Sequence, residues 1–149
     1  IALVGDEIFG VAAYGWQRNG GHAEYLIADE RDLVHLPDTL SYRDGCFISC
    51  GVGTAYEAVL RGNVSGSDAV LVVGLGPVGM AALMLAKGRG ARLAIGVDTQ
   101  PDRVETAKQL GLLDHGFVAG PDTLGAINEL TKGGAAVAID CSGSPRGRV

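Results

Sequence analysis

At 149 residues the chain is long enough for one core-forming domain and too short for a large two-domain enzyme. Hydrophobic residues make up 47% and charged residues 19%, which excludes a disordered chain. The net charge of −5, from 12 basic against 17 acidic residues with no basic block, argues against a nucleic-acid partner or an anionic membrane surface.

The first forty residues read as short strands. "EIFGVAAYG" and "HAEYLIA" alternate or run apolar and are separated by the turn signal "QRNGG"; "LVHLP" adds a further apolar segment ending at Pro37. Asp6 and Glu7 interrupt the first apolar run, so no signal peptide is expected. Ser41 and Asp44 form a capping-box pattern that predicts a short helix, and "TAYEAVLRG" predicts a second that stops at Gly62.

Beyond the polar "NVSGSD" the pattern changes to strand–helix alternation. "AVLVVG" predicts a buried strand and "PVGMAALMLAKG" a helix; "LAIGVD" predicts a strand and "PDRVETAKQLG" a helix with Pro101 in its first turn. "HGFVA" is a weak third strand, "PDTLGAINELTKGG" a helix and "AVAIDCSG" a fourth strand. The order βαβαβαβ implies a parallel sheet with right-handed crossovers. Residues 69–86 carry no charge and approach the length of a membrane span, but Gly74, Gly76, Pro77 and Gly79 at the centre favour a strand, a turn and a helix. The 24 glycines cluster at such connections, and no repeat or low-complexity tract is present.

The turn "GLGPVG" has the spacing Gly74-x-Gly76-x-x-Gly79 between a strand and a helix. Gly74 can supply the tight turn, Gly76 close approach to a pyrophosphate, and Gly79 close helix–strand packing, with the helix N-terminus facing the phosphates. Asp98 ends the second strand, where a carboxylate accepts hydrogen bonds from ribose hydroxyls and repels a 2′-phosphate. Thr99 follows where an NADP site more often has Arg, so NAD is favoured. The other reading is a close-packed turn with Asp98 as a helix cap. Arg103 reads equally as a ligand-facing cation or a solvated one. Cys141, Ser142 and Gly143 should reach the same carboxyl edge, either facing the nicotinamide half or forming a buried thiol and a turn.

Three cysteines, Cys46, Cys50 and Cys141, fit no disulfide framework, so a reducing, cytoplasmic setting is expected. Cys46 and Cys50 would share a helix face, yet two thiolates do not close a zinc site. Cys46 reads as a small core residue; for Cys50 the residues alone leave a core thiol and a metal ligand open.

The motifs "GGHAEYLIA", "LPDTLSYRDGCFISCGVGTAYEAV", "VLVVGLGPVGMAALMLAKGRGA", "GVD" and "ELTKGGAAVAIDCSG", in this order, resemble the medium-chain, zinc-dependent alcohol dehydrogenase family. The resemblance implies a partial Rossmann-type α/β fold: 1–40 as the end of a β-rich, GroES-like catalytic domain, 41–66 as connecting helices, and 67–149 as an incomplete doubly wound NAD-binding domain. It implies Cys50 as one catalytic-zinc ligand, Thr54 as a neighbour of the nicotinamide, Pro77 and Val78 as borders of the cofactor, and Arg103 as a basic residue near the adenosine ribose. In such enzymes zinc lowers the pKa of the alcohol, and the alkoxide gives a hydride to NAD.

The family's other zinc ligands and its structural zinc lobe have no counterpart here, and the second half of the cofactor sheet is missing; the chain lacks an initiator Met and reads as a fragment. His22 stands at a position the family usually fills with an aromatic and reads as structural; His35 and His115 read as surface or core residues. The expected activity of the intact protein is zinc-dependent oxidation of a small alcohol or polyol with NAD, in a dimer or tetramer. The alternatives are a zinc-free quinone or enoyl reductase of the same superfamily, and a nucleotide-binding module without chemistry of its own.

Overall fold

The computed structural model describes residues 12–144. They divide into two units, with the boundary between Thr39 and Leu40.

In the first unit the expected strands at 22–28 and 33–37 do not form; residues 7–11 of the earlier segment lie outside the described residues. The described part holds an isolated bridge between Tyr14 and Arg18 and a 3₁₀ turn, Glu30–Asp32. A strand needs a neighbour for its main-chain donors and acceptors, and no sheet partner lies among these residues. Short-range main-chain bonds, such as Gly15 N to Arg18 O at 2.8 Å and Asp32 N to Asp29 O at 2.9 Å, are joined by side-chain ones. Asp29 Oδ1 accepts from Arg31 N at 3.0 Å and caps the turn. Tyr14 Oη donates to Asp32 Oδ2 at 2.9 Å and accepts from Asp29 N at 3.0 Å. Hydrogen bonds from Arg31 hold the exposed Asp29 carboxyl at a pKa of about 2.

The second unit opens with α1 (Tyr42–Gly45), in which Ser41 and Asp44 form the expected reciprocal cap. A π-helical turn, Ile48–Val52, then leads into α2 (Gly53–Arg61), which ends at Gly62 as the sequence suggested. Gly51 is the buried residue of that wide turn, and a Cβ on it would collide with the edge of the Phe47 ring.

The alternation that follows is β1 (Ala69–Val73), α3 (Pro77–Gly88), β2 (Leu93–Asp98), α4 (Pro101–Gln109), β3 (His115–Val118), α5 (Thr123–Thr131) and β4 (Val137–Asp140). The uncharged stretch 69–86 is thus a strand, a turn and a helix, and among the described residues no helix is long and apolar enough to cross a membrane. α5 ends at Thr131, short of the "KGG" included in the predicted helix, because Lys132 turns left-handed (φ 58°) ahead of Gly133 and Gly134.

The four strands form one parallel sheet in the order β3-β2-β1-β4, with Val72 opposite Gly96 and Ile139. The central strands β1 and β2 carry apolar packing on both faces. Val70, Val72 and Ala94 pack with Leu83 and Ala86 of α3 and Ala107 of α4, and the same core takes in Ala55 and Val59 of α2. On the opposite face Ile95, Val97 and Leu71 meet Ile127 and Leu130 of α5. Burial on two faces explains why β1 reads as a continuous apolar run and not an alternating one. Connections move from β1 outward to β3 and then return to the far side of β1. The direction of winding therefore reverses between β1 and β4, where open α/β sheets form a crevice at their carboxyl edge.

Candidate functional site

Three strand ends supply the site. β1 runs into the glycine turn, β2 ends at Asp98, and β4 runs into Cys141 and Ser142. Gly74 N donates to Val97 O at 2.7 Å and Cys141 N to Val73 O at 2.7 Å, which extends both ladders one residue past the strands and aligns the three ends.

The three glycines do separate work. Gly74 adopts φ +89°, and a Cβ on it would lie 2.6 Å from the Ser142 backbone. A Cβ on Gly79 would collide with Gly74 O, so α3 sits against the turn itself. A Cβ on Gly76 would meet nothing within 4 Å. Gly76 is also the N-cap of α3 and offers no side chain to it, while Pro77 occupies the first helical position and lacks an N–H. The first-turn donors of α3 and the positive end of its dipole therefore remain available to an anion.

Asp98 is 5% exposed and is the buried charged residue of this core. Its Oδ2 accepts from Leu75 N at 2.6 Å and its Oδ1 from Gln100 N at 2.8 Å. Arg103 Nη1 stands 3.5 Å from Oδ2, with its side chain half exposed. Burial pushes the Asp98 carboxyl upward, but the donors from Gln100 and Leu75 and the charge of Arg103 outweigh it, so the pKa lies below the ordinary value. The result is a fixed carboxylate tied to the glycine turn.

These groups line a cavity of about 600 Å³ that contains Gly74, Gly76, Asp98, Arg103, Cys141 and Ser142. Together with Thr99, which also lines the cavity, seven residues singled out in the sequence thus come together. Others do not: Pro77 is exposed, Val78 packs against the core, and Gly79 is buried under the turn, all at the start of α3. Thr54 and Cys50 are exposed on α2 and the π-helical turn and do not line the cavity. Burial, and then the charge of Asp140, pushes the Cys141 thiol up, so it stays protonated at neutral pH.

The sequence reading missed four contributors. Thr123, Leu124 and Ile127 of α5 form one wall of the cavity; the signal available was a helix opening at the same sheet edge. Leu75 acts through its main-chain N–H, which side-chain identity cannot reveal. The core role expected of Cys46 is corrected: it caps α1 in an exposed position, with Sγ 3.1 Å from Arg43 O, because a four-residue helix covers too little surface to bury its C-terminus.

A dinucleotide fits this donor set. The room at Gly76 adjoins an uncapped helix start, and a buried carboxylate tied to the same turn lines the cavity. Zinc does not find a site among the described residues, where no three His, Cys, Asp or Glu side chains group together.

Comparison with known proteins agrees with this architecture. Residues 77–147 match the family model described as zinc-binding dehydrogenase. The uncharacterized zinc-type alcohol dehydrogenase-like protein YphC of Escherichia coli is 69% identical over 141 residues, 94% of this chain and 40% of that protein. The chain belongs to the medium-chain, zinc-type alcohol dehydrogenase family. The (R,R)-butanediol dehydrogenase of Bacillus subtilis is 33% identical over 126 residues, 85% of this chain and 36% of that enzyme. Among solved structures, zinc-dependent alcohol dehydrogenase 2 from Streptococcus pneumonia superposes with a TM-score of 0.76 at 36% identity, covering 87% of this chain and 38% of that one. The chain spans about 40% of the length of the curated relatives it matches.

Proposed function

We propose that the protein carrying this chain is an NAD-dependent dehydrogenase of alcohols or polyols, and that the carboxyl edge of this sheet is its dinucleotide site. The observation that carries the reading is Asp98: a buried carboxylate, held below its ordinary pKa, facing the cavity from the end of β2. NAD bound there supplies the hydride acceptor for an alcohol. Asp98 has about four acceptor positions, of which Leu75 N and Gln100 N take two. The others are available to ribose hydroxyls as the long contact to Arg103 gives way, and the same charge opposes a 2′-phosphate. The donors at the start of α3 and the open side of Gly76 take the pyrophosphate.

Cys50 is proposed as one zinc ligand, with the remaining ligands outside the described residues. Its thiol is exposed on a π-helical turn, a local irregularity that recurs at functional sites. Three cysteines without a disulfide among them fit a reducing, cytoplasmic compartment. By family resemblance the intact protein is a homo-oligomer acting on a small alcohol.

The test is zinc content and alcohol-dependent NADH formation in the natural full-length protein, wild type against Cys50→Ser. Zinc and activity lost together in the variant support the reading. A wild type without zinc, or a variant that keeps metal and activity, points to the zinc-free reductase instead.

A further inference from the structure

Asp140 ends β4 and is a second carboxylate at this sheet edge. Its Oδ1 accepts from Ser142 N at 2.9 Å and from Ser142 Oγ at 2.6 Å. Ser142 Oγ has one proton, and the short contact to a carboxylate takes it in preference to Ser144 O at 3.3 Å. The same oxygen is left to accept from Ser144 N at 3.2 Å. The chain direction just past β4 is therefore set by Asp140.

That segment is the surface on which the glycine turn rests. A Cβ on Gly74 would lie 2.6 Å from both Ser142 Cα and Ser142 N and 2.7 Å from Cys141 C, so the two backbones touch with no side chain between them. A side chain could absorb a small displacement of Ser142; two backbones in contact pass it on. Gly74 is fixed from the other side by Val97 O, and Leu75 by Asp98. Gly76, two residues on, begins α3.

We propose that Asp140 is a positioning residue of the dinucleotide site, which through Ser142 holds the floor under Gly74 and so sets the height of the phosphate turn and the start of α3. The role rests on the dinucleotide reading above. It assigns the two carboxylates separate parts: Asp98 faces the ribose end, and Asp140 acts on the phosphate end through main chain.

The test is equilibrium binding of NADH, ADP-ribose and adenosine to the natural full-length protein, wild type against Asp140→Ala, Asp140→Asn and Ser142→Ala. Asp140→Ala removes two hydrogen bonds to a charged acceptor and is expected to weaken NADH and ADP-ribose about tenfold, with adenosine within about twofold. Asp140→Asn keeps Oδ1 as an acceptor and should stay within about threefold of wild type. Ser142→Ala keeps the N–H bond and should fall between. Equal binding by wild type and Asp140→Ala overturns the role, as does parallel loss of all three ligands or an Asn variant as weak as Ala. If Asp140→Ala does not fold, the other two variants decide: Ser142→Ala must weaken NADH and ADP-ribose while sparing adenosine, and no change overturns the role. A wild type that binds neither NADH nor ADP-ribose refutes the dinucleotide site itself, a result distinct from the others.

Discussion

Alanine at Gly74 and alanine at Gly76 should have opposite effects, although the two positions are separated by one residue in the same turn. At Gly74 the backbone is left-handed and a methyl would meet the Ser142 main chain. The conformation costs about 1–2 kcal/mol and displacing packed backbone about 1–3 kcal/mol, so Gly74→Ala should lose about 2–5 kcal/mol of stability. At about 2–4 °C per kcal/mol, the midpoint should fall by roughly 4–20 °C. At Gly76 the backbone is extended (φ −71°, ψ −174°) and a methyl meets open space. A weaker N-cap is offset by a less flexible unfolded chain, which leaves Gly76→Ala within about 1 kcal/mol of wild type. Its effect belongs in binding. A methyl in the volume assigned to the pyrophosphate costs about 1–3 kcal/mol, or about 5- to 150-fold in NADH affinity. Thermal melts paired with NADH titrations on both variants measure this. Equal melting losses in the two, or undiminished NADH binding by Gly76→Ala, refute the geometric reasoning.

Other outcomes follow from the same site. Asp98→Ala strands the buried N–H of Leu75 and should cost on the order of 3 kcal/mol in a denaturant titration as well as NADH affinity; loss of binding with full stability contradicts the link between β2 and the turn. Because the folded pKa of Asp98 is lowered, its stabilising contribution is complete above the ordinary carboxylate value of 3.8 and fades as pH falls below it. Asp98→Asn should therefore flatten part of the acid limb of a stability–pH curve, and an unchanged limb counts against the assignment. Cys141, half buried with its pKa raised, should alkylate more slowly than free glutathione at pH 8 by mass spectrometry, and more slowly still with saturating NADH. A rate unaffected by NADH places the cofactor elsewhere.

The strands and helices after residue 66 were legible because each element there is locally consistent, although α5 and β4 are shorter than their predicted segments. β1 and β2 are β-branched and apolar, the helices open at Pro77 and Pro101, and turns fall at glycines. The segments at 22–28 and 33–37 show the opposite case: an apolar pattern records what a strand could bury, while its formation depends on neighbours that these residues do not contain. Within the site, side-chain chemistry was readable at Asp98 and in the glycine spacing. The tie from Leu75 N to Asp98, and the backbone contact between Gly74 and Ser142, were not, because main-chain donors and close approaches across strands carry no local sequence signature. The exposure of Cys46 was missed for a related reason: a small residue in an apolar stretch looks buried until the length of its helix is known.

The most direct measurement is equilibrium titration of the natural full-length protein with NADH and with NADPH, repeated on Asp98→Asn. The buried carboxylate requires wild type to prefer NADH by at least about 100-fold, since like charges in contact cost several kcal/mol, and requires the substitution to narrow that gap. NADPH bound as tightly as NADH, or a preference that survives the loss of the charge, contradicts the dinucleotide site described at Asp98.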